Sequence, residues 1–301
     1  MQIDPAQKAS VHCENLNRFP RYAPYDAFRS TNMKKIDTGT EELLCHIKDR
    51  VGVITLNKPG KRNALGDVLT PALRQVLLVL EEEDDVGCVM ITGAGDAFCS
   101  GGDVSGMGGS GKERSAEEHV NDLIERQVTL TQRIHELKKI TVAALPGPAA
   151  GAGLSIALAC DLRVASSNAF VTTAFRNIGL SGDYGASWFL PRLIGLAKAK
   201  ELYYTSKRVG AEEGAQLGIF NEVFPEETFR DEAFAYTAAI ANGPTRTLGR
   251  MKINLNRGMD QSLHESLALE AEHLIESASD NEAKEAISAF LEKRPPNFHD
   301  C

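Results

Sequence analysis

The sequence predicts an α/β fold that is followed by a helical C-terminal region. Short apolar, β-branched runs alternate along the chain with longer segments whose apolar residues keep helical spacing. Four segments rich in helix formers then close the chain. Of the 301 residues 43% are hydrophobic and 25% are charged, so the chain is long and apolar enough to bury a large core.

The elements follow in chain order from a polar tripeptide, residues 48–50, whose apolar flanks indicate a β-hairpin. The predicted strands are at residues 43–47, 51–56, 86–92, 140–144 and 162–165. The predicted helices are at residues 68–80, 120–137, 153–159, 226–241, 245–257, 262–279 and 281–292. A Gly-rich, mobile-looking segment is expected at residues 101–111. A run of helices after an α/β body commonly packs against another subunit.

Three regions follow from this order. Residues 1–40 are predicted to be an N-terminal extension, because prolines punctuate them and no sustained period occurs. Residues 41–225 form the predicted core, and residues 226–301 form a C-terminal helical oligomerisation region.

Composition excludes several classes of function. The formal net charge of -8 disfavours nucleic acid as a partner. The longest nearly apolar stretch, residues 149–160, is far shorter than the ~20 residues of a membrane helix, so no membrane partner is expected. The six cysteines are scattered singly without metal-ligand spacing, which predicts a reducing compartment and no metal. The first forty residues lack an apolar signal segment, so the expected location is the cytoplasm.

One glycine-rich turn, residues 146–153, precedes the short helix at 153–159. Its side chains are too small to cover the backbone, so its free N–H groups could point at an anion or a developing oxyanion. Simple close packing of small residues explains the same turn equally well.

Five sequence blocks in one order resemble the signature of the enoyl-CoA hydratase/isomerase (crotonase) superfamily, from about residue 43 to 298. The blocks are Asn57-Lys58-Pro59 through Lys61-Arg62-Asn63-Ala64-Leu65, Phe98-Cys99-Ser100-Gly101-Gly102-Asp103, Ala149-Ala150-Gly151-Ala152-Gly153 through Ala159-Cys160-Asp161, Gly179-Leu180-Ser181-Gly182-Asp183-Tyr184-Gly185, and Ala289-Phe290-Leu291-Glu292-Lys293-Arg294 through Asn297-Phe298. The resemblance implies a crotonase-like spiral of ββα turns with a C-terminal helical trimerisation region. It also implies a homotrimer or a hexamer, and an acyl-CoA thioester substrate with no further cofactor, since coenzyme A is part of that substrate.

The resemblance also implies roles for individual residues. Backbone N–H groups of Ala64 and Ala152 would stabilise the enolate oxygen of the thioester. Lys61 and Arg62 are candidates for binding the CoA phosphates. For each of these side chains, a solvated position on the surface is expected almost as much as phosphate binding. The remaining residues implied in substrate binding are Ser100, Gly101, Gly102, Asp103, Val104, Gly151, Ser155, Phe175, Tyr184, Phe290 and Lys293, the last two from the same or a neighbouring subunit. An acyl pocket lined partly by residues 104–130 is expected.

The departure from the family pattern concerns two acids. Hydratases of this family use two glutamates to position and activate water, and Ser155 and Phe175 stand in those places here. Asp183 remains as the candidate base, because one carboxylate opposite an oxyanion hole suffices to move a proton from one carbon to another. Burial beside Phe175, Tyr184 and Trp188 would raise its pKa. The alternative for Asp183 is a helix N-cap.

The segments at residues 169–188 and 286–298 most resemble the isomerase that converts ring-epoxidised phenylacetyl-CoA to its oxepin. That subfamily has Asp in the same turn and lacks the glutamate pair. An isomerase that shifts a double bond, or rearranges a ring, is therefore the expected activity. A hydratase, a hydrolase, lyase or dehalogenase on the same fold, and a non-catalytic acyl-CoA-binding protein remain alternatives.

Overall fold

The computed structural model describes residues 33–103, 115–299 and 301. The strands are β1 (Lys34–Ile36), β2 (Leu43–Lys48), β3 (Val51–Leu56), β4 (Cys88–Gly93), β5 (Ile140–Leu145), β6 (Ala149–Ala150), β7 (Leu162–Ser166), β8 (Phe170–Thr172), β9 (Val209–Gly210) and β10 (Glu222–Phe224). The helices are α1 (Leu69–Glu82), α2 (Ala116–Gln127), α3 (Arg133–Glu136), α4 (Ala152–Ala159), α5 (Ala186–Ile194), α6 (Leu196–Thr205), α7 (Ala211–Gln216), α8 (Phe229–Ala241), α9 (Thr245–Gly258), α10 (Leu263–Ser279) and α11 (Asn281–Glu292).

A seven-stranded sheet in the order β1-β2-β3-β4-β5-β7-β10 organises the chain. The β2–β3 hairpin is antiparallel, as predicted, whereas the pairs β3–β4, β4–β5, β5–β7 and β7–β10 are parallel. All six residues of β4 are buried, as expected for a central parallel strand that is covered on both faces. A smaller sheet, β6-β8-β9, lies beside α4.

Two apolar layers cover the large sheet. On one face α1 contributes Leu73 and Leu77, and α4 is buried along its whole length. On the other face α8 contributes Phe229 and Tyr236. A helix that is apolar all round belongs in the interior. Gly153 allows α4 to lie there, since a Cβ at this position would be 2.3 Å from the Cys99 carbonyl oxygen.

Several elements differ from the sequence-based expectation. The sheet begins at Lys34, before the boundary at residue 41, because β1 pairs with β2. The helix predicted at 120–137 is interrupted by a π-helical turn, Val128–Gln132, between α2 and α3. No element was predicted between residues 166 and 225, where β8, β9, β10 and α5 to α7 lie. These elements are short and depend on packing rather than on local periodicity.

The C-terminal helices α8 to α11 form as predicted, and α9 is attached to the core by a buried ion pair. The Lys252 ammonium lies 2.8 Å from Asp161, whose carboxylate also accepts hydrogen bonds from the N–H and hydroxyl of Thr141. Asp161 therefore has a structural role. No helix in the described part of the chain is both long and apolar enough to cross a bilayer.

Candidate active site

The N-terminus of α4 presents an unused backbone donor. Gly151 adopts φ 52° and ψ −127°, and its N–H donates to the Thr172 carbonyl, which fixes the entry into α4. Within the described residues, the Ala152 N–H has no hydrogen-bond acceptor. It belongs to the first turn of a helix, whose N–H groups lack intrahelical partners and carry the positive end of the dipole. The Ala152 N–H is thus available to an oxyanion.

Ala64 lies in a loop that Asn63 holds. The fully buried Asn63 side chain accepts from the Lys58 N–H and donates to the carbonyls of Ala94 and Ala97. The Ala64 N–H donates to the Lys61 carbonyl over 3.1 Å. Ala64 can therefore serve as a second oxyanion donor only if its N–H leaves or shares that carbonyl. Asn63 belongs to one of the five sequence blocks, but the local sequence does not indicate that its side chain holds this loop.

The segment at residues 100–103 is joined to the Ala64 loop. Backbone hydrogen bonds connect Ser100 with Arg62 and connect Leu65 with both Gly101 and Asp103. The Lys61 ammonium lies 2.9 Å from the Asp103 carboxylate and is half exposed. Lys61 therefore faces the site's rim, where it could exchange Asp103 for a phosphate.

These segments enclose a cavity of about 480 Å³, which we call the smaller cavity. The predicted residues that line it are Lys61, Ala64, Ser100, Gly101, Gly102, Asp103, Gly151, Ala152, Phe175 and Asp183. Residues far apart in the chain thus meet at one place, and among the described residues of this cavity the acids are Asp103 and Asp183.

Asp183 lies in a turn with unusual backbone geometry. Tyr184, which follows it, has φ 52°, a left-handed conformation that costs a non-glycine residue free energy. The Tyr184 N–H donates to the Gln127 side chain over 2.7 Å, so the end of α2 holds this turn. Gln127 was missed by the sequence analysis, because nothing in the local sequence links it to residue 184.

The Asp183 side chain does not cap a helix. The residue at the N-cap of α5 is Gly185, and no side chain caps that helix. The Oδ1 atom of Asp183 is buried and has no hydrogen-bond partner in the described part of the chain. The N-cap alternative for Asp183 is therefore wrong, and a carboxylate is left free to react at the cavity wall.

Burial raises the pKa of Asp183 above its ordinary value. Tyr203, whose ring stacks on Phe175, has a pKa of about 12, raised first by burial and further by the Asp183 charge. Phe175, Tyr184 and Tyr203 are thus aromatic neighbours of Asp183. Trp188, expected beside Asp183, instead packs on His135, Phe189 and Arg192.

Ser155 lies behind the site rather than in it. The residue is fully buried, and its Oγ is 3.0 Å from the Asp183 carbonyl and 3.2 Å from the Gly151 carbonyl. This arrangement does not support the direct substrate binding by Ser155 that the resemblance implied. The hydroxyl instead connects α4 to the Asp183 turn.

We expect Ser155→Ala to lower the free energy of unfolding by about 1 kcal/mol, because one buried hydrogen bond is lost. Since the Asp183 turn loses a tether, kcat should fall several-fold while KM stays the same. Steady-state kinetics on an accepted acyl-CoA and urea unfolding of the same sample would check this. A raised KM with unchanged kcat would contradict it and indicate direct substrate contact.

Some predicted residues lie elsewhere. Arg62 is exposed outside the smaller cavity, and Val104 lies outside the described residues with most of the segment at 101–111. Phe290 is 82% exposed at the end of α11, and Lys293 follows it, with neither lining the cavity of its own chain.

A second, larger cavity of about 950 Å³ adjoins the first. The two share Gly102, Asp103, Ala152 and Asp183, so Asp183 stands at their junction. Tyr184 lines only the larger cavity, between α1 and the π-helical turn. Of the predicted acyl-pocket range 104–130, Leu123, Arg126 and Thr129 are among the residues that line it.

Within the described residues, an unbonded backbone N–H at a helix N-terminus and a buried carboxylate line one cavity, an arrangement that can stabilise an oxyanion and move a proton. A family model described as enoyl-CoA hydratase/isomerase matches residues 46–301. This chain belongs to the enoyl-CoA hydratase/isomerase family and has the crotonase fold.

Individual relatives support this assignment. The 1,2-epoxyphenylacetyl-CoA isomerase of Escherichia coli is 32% identical over 264 residues, which cover 86% of this chain and 98% of that protein. The short-chain-enoyl-CoA hydratase of Clostridium acetobutylicum is 33% identical, over 81% and 92% of the two chains. The crystal structure of an enoyl-CoA hydratase from Polaromonas sp. JS666 has a TM-score of 0.79 at 32% identity, covering 85% of this chain and 98% of that one.

Proposed function

We propose that this chain is an isomerase that shifts the double bond of an enoyl-CoA thioester, or rearranges a ring attached to it. The observation that carries the proposal is the Asp183 carboxylate, desolvated and without a hydrogen-bond partner at Oδ1, beside the unused Ala152 N–H. The similarity to the E. coli 1,2-epoxyphenylacetyl-CoA isomerase supports it. The similarity to hydratases does not support the proposal, and a hydratase remains the alternative within the family.

In the proposed mechanism Asp183 removes a proton from the carbon next to the thioester carbonyl. The electron pair moves into the carbonyl, and the enolate oxygen is stabilised by the Ala152 N–H at the positive end of α4. Ala64 adds a second donor when its N–H turns from the Lys61 carbonyl. Protonated Asp183 then returns the proton to the γ carbon, which places the double bond in conjugation with the carbonyl. No cofactor beyond the CoA of the substrate takes part.

The proposed assembly is a trimer or a hexamer through the C-terminal helices. Large apolar side chains of α9 to α11 are left uncovered in one chain, including Leu255, Leu263, Ile275 and Phe290. Exposed apolar patches of this kind mark contact surfaces. Such an assembly would also bring Phe290 and Lys293 near the CoA of a neighbouring subunit.

A substrate panel tests the proposal. The protein is incubated in D₂O with a 3-enoyl-CoA, with crotonyl-CoA and with the ring epoxide of phenylacetyl-CoA, and products are followed by NMR and mass spectrometry. We expect a shifted double bond or a rearranged ring without gain of water. Release of free CoA would instead indicate a hydrolase, in which Asp183 attacks or activates water. Binding of all three without any conversion would indicate the non-catalytic alternative.

A separate prediction concerns water addition. We expect crotonyl-CoA hydration to be slow or absent, because Ser155 and Phe175 replace the two acids and Asp103 is paired with Lys61. The loss of absorbance of the conjugated thioester measures this rate. Hydration at about a hundred per second or more would contradict the prediction and show that another acid handles water.

A further inference from the structure

The larger cavity contains two arginines, Arg74 and Arg133, that have no carboxylate partner within the part of the chain that the structure describes. Arg74, on α1, donates from Nη2 to the Arg126 carbonyl, and its buried Nε has no hydrogen-bond partner in the described part of the chain. Arg133, on α3, donates from Nη1 to the Arg74 carbonyl. Among residues 33–103 and 115–299, no carboxylate lies within ion-pair distance of either guanidinium. Both are only partly exposed, so water screens their charge incompletely.

The acids around the same cavity do not supply the missing counterion. Asp122 pairs with Arg126 at 2.9 Å, Asp103 pairs with Lys61, and Glu42 pairs with Lys58. Asp67 and Glu125 also line the cavity but are exposed to solvent. Asp183 is the catalytic candidate at the junction of the cavities. Among the described residues, Arg74 therefore has neutral hydrogen-bond partners but no carboxylate partner, and its Nε has no acceptor.

The position of Arg74 relates it to the acyl group. Lys61 and Ser100, which would face CoA, line the smaller cavity and do not line the larger one. If the thioester carbonyl is bound at Ala152, as the proposed function requires, an acyl chain that extends away from Lys61 and Ser100 would pass Asp183 and enter the larger cavity. Burial raises the pKa of Tyr184, whereas the charge of Arg74 and a side-chain hydrogen bond with it lower that pKa. Arg74 and Tyr184 are therefore neighbouring polar groups in the larger cavity, which adjoins Asp183.

We propose that Arg74 binds a carboxylate at the far end of the acyl group, so that the preferred substrates are CoA monothioesters of unsaturated dicarboxylic acids. This inference rests on the proposed function for the position of the thioester. A guanidinium presents N–H donors in a fork that matches a carboxylate, and the charge-assisted bonds are stronger than those to a neutral oxygen. A plain alkyl chain would leave the buried Nε without an acceptor.

Binding to saturated ligands tests the inference separately from catalysis. Calorimetry compares succinyl-CoA with butyryl-CoA, glutaryl-CoA with pentanoyl-CoA, and adipoyl-CoA with hexanoyl-CoA, so each pair differs only in the terminal group. In at least one pair we expect the carboxylate ligand to bind about 10- to 100-fold more tightly. Equal or weaker binding of the carboxylate ligand in all three pairs overturns the proposal.

Variants assign the preference to the residue. Arg74→Met should reduce the preference within the best pair to about twofold or less, and Arg74→Lys should keep part of it, because the charge remains without the fork. Arg192→Met is the matched control, since Arg192 stacks on Trp188 outside both cavities and should leave the preference unchanged. A preference that survives Arg74→Met overturns the assignment to Arg74.

The two proposals fail in different ways. Conversion of 3-hexenoyl-CoA, 3-hexenedioyl-CoA and the ring epoxide of phenylacetyl-CoA measures the proposed function. Absence of all three isomerisations would refute it while leaving the binding ratios of the saturated pairs interpretable. Isomerisation with no carboxylate preference in those ratios would retain the proposed function and refute the role of Arg74.

Discussion

Asp183→Asn is expected to lower the turnover of an accepted 3-enoyl-CoA by about 10²–10⁴ with little change in substrate affinity. The amide keeps the size of the carboxylate but cannot take a proton from carbon. The turn itself should persist, because the Tyr184 N–H is bound by Gln127 and the Asp183 carbonyl by Ser155, neither of which involves the carboxylate. Steady-state kinetics and calorimetry with a saturated acyl-CoA measure the two quantities.

The pH dependence provides an independent check on the same residue. Burial raises the pKa of Asp183, and its basic form starts the reaction. Turnover should therefore be lost as the pH falls through a pKa above the ordinary value for Asp, and the residual activity of Asp183→Asn should lack that acidic limb. Melting temperatures exclude a folding defect. Full activity of Asp183→Asn would refute the catalytic role, and the base would have to be sought elsewhere in the cavity.

The second large effect concerns stability. Asp161→Ala should lower the free energy of unfolding by about 3–5 kcal/mol, the cost of leaving one member of a buried ion pair uncompensated. The Lys252 side chain is 4% exposed. Within the described residues, its ammonium would keep only its longer hydrogen bonds to the carbonyls of Ile134 and Lys139. Two hydrogen bonds from Thr141 would be lost as well. Urea unfolding at one fixed protein concentration measures the change, since assembly would make stability depend on concentration.

Two controls accompany this measurement. The double variant Asp161→Leu/Lys252→Met should recover much of the stability, because apolar residues of similar volume replace a buried pair without leaving a charge. Glu201→Ala removes one partner of the exposed Lys198–Glu201 pair and should change little. If Asp161→Ala and Glu201→Ala had similar effects, the buried pair would not be what holds α9 to the core.

The local sequence pattern was sufficient to predict the elements whose own residues indicate a strand, a turn or a helix. The hairpin of β2 and β3 was predicted because residues 48–50 interrupt two apolar runs, and α4 because small and apolar residues follow a glycine-rich turn. β1 was missed because three residues carry no period, and it exists only by pairing with β2. The sequence pattern at residues 120–137 could not reveal the π-helical turn, since the apolar spacing is compatible with an α-helix and with a π-helical turn.

The features of the site likewise divide into those that the sequence determined and those that only the tertiary structure decided. The sequence by itself determined the family, through five ordered blocks, and it located the glycine-rich turn before α4 and the positions Ser155 and Phe175, where the resemblance implies glutamates in hydratases. Only the tertiary structure decided that the Asp183 carboxylate is desolvated and caps no helix, and that Ser155 lies behind it. It also decided that Arg74 faces the same cavity as Tyr184. Burial, and the lack of a counterion for Arg74 among the described residues, depend on contacts between residues far apart in the chain, which local sequence patterns do not encode.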